Sequence, residues 1–117
     1  MKIKIKNLHL RTIIGIHEWE RKNKQDVVIN ITIWFDGKKA VQSDRVEETV
    51  DYKSITKKVI AAVEGSRFHL LEKLAHQILK ILIQDRRVTA ANVEVDKPHA
   101  LRFAESVAVE VNWERPG

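Results

Sequence analysis

At 117 residues and 13.6 kDa, the chain has the size of one domain and can bury roughly two-thirds of the surface its unfolded form exposes. It has no Cys, which excludes disulfides, thiolate metal sites and cysteine nucleophiles, while 32% charged residues, 44% apolar residues, four Gly and two Pro exclude collagen-like, low-complexity and disordered classes. The net charge of +5 is dispersed: 10 Lys and Arg face 7 Asp and Glu in residues 1–50, and 11 face 9 in residues 51–117, so no basic block tracks phosphates and a nucleic-acid partner is not expected.

The opening Met1–Lys6 alternates charged and apolar residues and lacks the apolar run of a secretory leader. No apolar stretch approaches the roughly 18 residues of a membrane span, so the expectation is a cytoplasmic protein with no membrane partner. Residues 2–14 read as a strand, with Ile3 and Ile5 on one face and then Leu8 and Leu10; the slip in phase predicts a bulge near Asn7. Gly15–Gln25 reads as a polar connection, long for a hairpin, carrying Glu18, Trp19, Glu20 and Arg21. Residues 27–35 alternate strictly, with Val27, Ile29, Ile31, Ile33 and Phe35 opposite Val28, Asn30, Thr32 and Trp34, a strong strand signal.

Asp36-Gly37 signals a turn, and a short irregular helix is expected around Asp44–Glu48. Ile55, Val59, Ile60 and Val63 fall at helical spacing, with Gly65 placed to end that helix. A second helix is predicted from about Arg67 to Gln84, its stripe formed by Leu71, Leu74, Ala75, Ile78 and Leu82. Thr89, Ala91, Val93 and Val95, then Val107, Val109, Val111 and Trp113, mark two closing strands. The order ββααββ predicts an α+β fold over residues 1–117: a four-stranded antiparallel sheet with two helices on one face. The other face would carry Val28, Asn30, Thr32, Trp34, Ala108, Glu110 and Asn112. That mixture is too apolar for plain surface and too polar for a core, which suggests an interior shared between subunits.

Candidate chemistry is sparse on residue type alone. Lys97 ends the third strand and is held extended by Pro98. Glu72 lies on the border of an apolar helical stripe, and Tyr52, the only tyrosine, stands where a polar connection becomes helix. The five His residues show no metal-ligand spacing, and neither a phosphate-cradling glycine loop nor a Ser-His-Asp set is present.

Taken together, these residues carry a resemblance. Ile14-Gly15-Ile16-His17-Glu18-Trp19-Glu20-Arg21 with Gln25 is similar to the dihydroneopterin aldolase family. So are Ser43-Asp44 with Thr49-Val50-Asp51-Tyr52, Phe68-His69-Leu70-Leu71-Glu72-Lys73-Leu74-Ala75, and Lys97-Pro98-His99-Ala100. The match runs through the whole chain in order. It implies the family's tunnelling fold, closed into an oligomeric barrel of four or eight subunits with the site between two of them. Within the family, Ile5–Thr12 and Asp96–Val107 are similar to the dihydroneopterin triphosphate 2′-epimerases, whereas Glu18–Arg21 and Val63-Glu64-Gly65 look more like the aldolases.

The resemblance implies roles. Glu72 would grip the pterin ring beside a backbone contact from Leu71, and Lys97, acting through a water, would move protons at a ring nitrogen. Tyr52 would relay protons near the reacting side chain, Glu20 and Gln25 would stand by its hydroxyls, and Val50 would line the pocket. No metal and no cofactor is implied, because the pterin itself is the electron sink. The first reading is a dihydroneopterin aldolase of folate biosynthesis that also epimerises at C2′. The alternative is a dihydroneopterin triphosphate 2′-epimerase, in which Arg102 or Lys73 would meet phosphates; a non-catalytic pterin-binding oligomer is the third.

Overall fold

The computed structural model describes residues 1–117. Strand β1 (Lys2–Thr12) is followed by a short helix α1 (Glu18–Lys22), strand β2 (Gln25–Phe35), helix α2 (Lys38–Ser43) and one 3-10 turn at Val46–Glu48. Helices α3 (Tyr52–Glu64) and α4 (Leu71–Leu82) come next, and β3 (Val88–Pro98) and β4 (Ser106–Glu114) close the chain. The strands form one antiparallel sheet in the order β1-β2-β3-β4. The predicted α+β architecture is therefore the observed one.

The apolar alternation decides which face is covered. Val27, Ile29, Ile31, Ile33 and Phe35 of β2 and Val88, Ala91, Val93 and Val95 of β3 are buried beneath the helices. Helix α3 lies against β1, and α4 lies against β3 and β4. Ile55, Val59 and Val63 of α3 and Leu74, Ala75, Ile78, Leu79 and Leu82 of α4 complete the core. Each such side chain contributes about 1.5–3 kcal/mol by leaving water. The β1–β2 register slips between Ile5 and Leu8, as the phase predicts. Asn7 takes the extra residue at φ 53°, and its N–H donates to Asn30 Oδ1 at 2.9 Å.

Three boundaries differ from expectation, each because a tertiary contact or a cap wins over periodicity. The loop after Gly15 contains α1. The short irregular helix expected around Asp44–Glu48 is present as a 3-10 turn at Val46–Glu48, but an unexpected helix, α2, precedes it and ends where Asp44 turns left-handed (φ 54°). Helix α4 starts at Leu71 and not near Arg67, because the carbonyls of Arg67 and Phe68 are occupied by donors from the Gly15–Arg21 loop. Gly65 does cap α3, but in a right-handed conformation.

The opposite sheet face is uncovered. Val28, Asn30, Thr32, Trp34, Ala90, Asn92 and Glu94 are half-buried on it, while Ala108, Glu110 and Asn112 are exposed. The molecule is a thin body of 52 × 24 × 23 Å. None of its helices is long and apolar enough to cross a membrane.

Candidate functional site

Lys97 continues the buried face of β3, two residues beyond Val95, whereas Asp96 points to the other face. The carboxylate that reaches Lys97 is therefore not its sequence neighbour but Glu20, in α1. The ammonium of Lys97 donates to Glu20 Oε2, and the two side chains are only 12% and 14% exposed. Glu20 Oε1 also accepts the backbone N–H groups of Ile16 at 3.2 Å and His17 at 3.1 Å. Gln25, the first residue of β2, donates from Nε2 to the Ile14 carbonyl at 2.6 Å and reaches Glu20 Oε2 at 3.5 Å.

These donors set the charge state. The Lys97 hydrogen bond is the largest influence and holds the Glu20 carboxyl down at about 2, against its usual 4.5; burial pushes the other way, and the His17 amide, the Lys97 charge and Gln25 add to the lowering. Glu20 is thus an anion at any working pH. It is a fixed counter-charge for Lys97 rather than a proton acceptor.

Gly15 makes the seat for this carboxylate. Its φ of +126° is a conformation L side chains rarely adopt, and a Cβ there would collide with the Glu20 carboxylate. Thr12, the one fully buried polar residue, donates its hydroxyl to the Ser66 carbonyl at 3.0 Å and ties the end of β1 to the α3–α4 connection. Gly15, Arg21 and Thr12 had no role assigned from sequence.

The remaining predicted residues make no side-chain hydrogen bond or ion pair with this cluster. Glu72 lies exposed in the first turn of α4, where the helix N-terminus favours an anion, and its carboxylate makes no hydrogen bond or ion pair with the protein. Leu71 beside it is half-buried. Tyr52 opens α3 with 51% exposure, just after Asp51, which caps the helix by accepting from the Ser54 N–H. Val50 has no exposed surface and packs in the core, where it anchors the start of α3. Arg102 stacks on the fully exposed Phe103, and Lys73 lies over Phe68. No group of three or more His, Asp or Glu side chains comes together in a metal-holding arrangement.

A surface cavity of about 630 Å³ lies elsewhere. Trp34, Thr89, Trp113 and Arg115 line it at the far end of the sheet, where Ala90 pairs with Glu114, whereas Lys97 pairs with Val107 at the near end. Its position has no relation to the Lys97 chemistry. Exposed apolar side chains do flank the Lys97 region, with Ile16 and Trp19 on the first loop and Leu70 just before α4.

Comparison with known proteins gives this arrangement a context. A family model described as "FolB: Dihydroneopterin aldolase" matches residues 3–112. The dihydroneopterin triphosphate 2′-epimerase of Escherichia coli is 49% identical over 113 residues, covering 97% of this chain and 94% of that protein. The E. coli dihydroneopterin aldolase is 32% identical over 105 residues, covering 90% and 86%. The structure of E. coli dihydroneopterin aldolase in complex with neopterin superposes with a TM-score of 0.91 at 30% identity, covering 97% of this chain and 98% of that one. The ββααββ order, the near-complete family match and the shared fold agree, and the chain belongs to the dihydroneopterin aldolase (FolB) family.

Proposed function

We propose that the protein is a pterin enzyme that breaks and remakes the C1′–C2′ bond of a dihydroneopterin side chain, with 2′-epimerisation of dihydroneopterin triphosphate as its main outcome. One observation carries the epimerase preference: at near-complete coverage, identity is 49% to an epimerase and 32% to an aldolase. This reverses the order suggested by the aldolase-like Glu18–Arg21 loop. The Lys97–Glu20–Gln25 cluster supports the shared chemistry.

In this reading Glu72 holds the pterin ring, its two oxygens accepting from the ring amino group and adjacent N–H. The carboxylate is free of protein partners and therefore available. Lys97, hydrogen-bonded to the Glu20 carboxylate, enters as the proton donor to the ring nitrogen through a water. Removal of the 2′-hydroxyl proton, with Tyr52 in the relay, lets the C1′–C2′ bond break into an aldehyde and an enamine-like pterin. The electron pair goes into the pterin ring. If the aldehyde turns over and adds back, the 2′-epimer forms; if it leaves and the enamine is protonated, 6-hydroxymethyl-7,8-dihydropterin remains.

The site is completed by a second copy of the chain. Tyr52 and the Lys97 cluster are not joined in one protomer, and Ile16, Trp19 and Leu70 leave apolar surface open beside it. The outer edges of β1 and β4 are both unpaired, the first strand carrying Lys2, Lys4 and Arg11 on its uncovered face and the second Glu110 and Glu114. Head-to-tail pairing joins unlike charges and closes a ring, a tetramer or a pair of tetramers. The test supplies purified protein with 7,8-dihydroneopterin triphosphate or with the free pterin and quantifies epimer and aldehyde; neither product from either substrate would leave only a binding role.

A further inference from the structure

Arg21 follows Glu20 directly in α1 but serves a different neighbour. Its Nη1 donates to the Gly15 carbonyl at 3.1 Å and to the Phe68 carbonyl at 3.1 Å, and its Nη2 donates to the Arg67 carbonyl at 2.6 Å. Arg67 Nη2 returns the contact, donating to the Arg21 carbonyl at 3.1 Å. Between them, the Gly15 N–H donates to the Phe68 carbonyl at 3.3 Å. No carboxylate pairs with Arg21; its charge rests on main-chain oxygens alone.

The geometry points to Arg21 as a positioning residue, a fastener that sets the pterin-gripping end of α4 relative to the proton-handling pair Glu20–Lys97. This inference rests on the pterin reading above. Phe68 lies just before Leu71 and Glu72, and Gly15 is the seat of the Glu20 carboxylate. A single guanidinium therefore holds both halves of the site, one through Phe68 and Arg67, the other through Gly15. The planar fork presents several donors in fixed directions, which a lysine ammonium on a flexible stem does not reproduce.

The same contacts explain why α4 begins late. Carbonyls at 67 and 68 that accept from Arg21 and Gly15 are withdrawn from the helical ladder, so the 66–70 connection stays non-helical. Its position is then set by the first loop rather than by helix propagation. A shift of about 1 Å between substrate grip and catalytic group is enough to cost on the order of 100-fold in rate while each half remains intact.

The experiment compares wild type, Arg21→Ala and Arg21→Lys in four readouts: kcat on the dihydropterin substrate, affinity for neopterin by fluorescence, melting temperature, and amide hydrogen exchange at Gly15. Arg21→Ala is expected to lower kcat about 10–100-fold while neopterin affinity changes less than about threefold. Exchange at Gly15 is expected to accelerate while the β2 and β3 amides stay protected, and Arg21→Lys is expected to recover part of kcat. A wild-type kcat in Arg21→Ala overturns the inference. So does parallel loss of kcat, affinity and melting temperature, which marks a purely structural arginine. If wild-type protein turns over no dihydropterin, the pterin reading fails on its own. Gly15 exchange then decides the fastening alone: acceleration in Arg21→Ala upholds it, and unchanged exchange overturns it.

Discussion

Lys97 and Glu20 stand 77 residues apart in sequence and share a hydrogen bond at which both side chains are largely buried. That contact joins the end of β3 to a one-turn helix in the first loop, and it orients the lysine. In the proposed mechanism, replacing Lys97 by Ala removes the proton donor while sparing the Glu72 carboxylate assigned to the ring. Turnover is expected to fall about 10²–10⁴-fold, with neopterin affinity within severalfold of wild type. Steady-state kinetics with a fluorescence titration check this; an active Lys97→Ala protein would remove the lysine from the mechanism.

Glu72 is expected to divide the other way. Its carboxylate has no partner in the chain, so Glu72→Gln costs the fold little. Losing the charge-assisted pair to the pterin weakens binding by about 1.5–3 kcal/mol, or roughly 10- to 150-fold. Titration with neopterin and a melting curve on the same sample read both effects. Unchanged affinity would place the ring elsewhere.

The depressed Glu20 carboxyl makes a pH prediction with a definite sign. Its folded value of about 2 lies below the usual 4.5, so its contribution to stability is complete above pH 4.5 and declines as pH falls, disappearing through about pH 2. The melting-temperature gap between wild type and Glu20→Gln is expected to be constant from pH 7 to 5 and to close below 4. A gap that widens in acid would contradict the assigned ion pair.

Gly15→Ala tests the seat of that carboxylate. The added methyl meets both an unfavourable φ of +126° and the Glu20 side chain, so a destabilisation of about 1–3 kcal/mol is expected. Because the methyl displaces Glu20 from Lys97, the acid-dependent stability described above should shrink in this variant. Urea unfolding at pH 7 and pH 3 measures both consequences.

Much of this was legible in the sequence, for a physical reason. Strict alternation over Val27–Phe35 and the helical stripe through Leu74 and Ile78 are local patterns, and burial followed them residue by residue. The slipped phase before Leu8 even announced the bulge. The Lys97–Glu20–Gln25 grouping came only from resemblance, since no local rule brings positions 20 and 97 together. Where long-range hydrogen bonds decide, periodicity failed. Arg67 and Phe68 look helical by spacing but give their carbonyls to Arg21 and Gly15.

Product analysis tests the central claim most directly. Purified protein is incubated with 7,8-dihydroneopterin triphosphate, and the 2′-epimer and released aldehyde are quantified over time. The account predicts that epimer accumulates faster than aldehyde, and that Lys97→Ala forms neither. Aldehyde released without epimer would contradict the epimerase assignment, and an inert wild-type protein would contradict the enzyme itself.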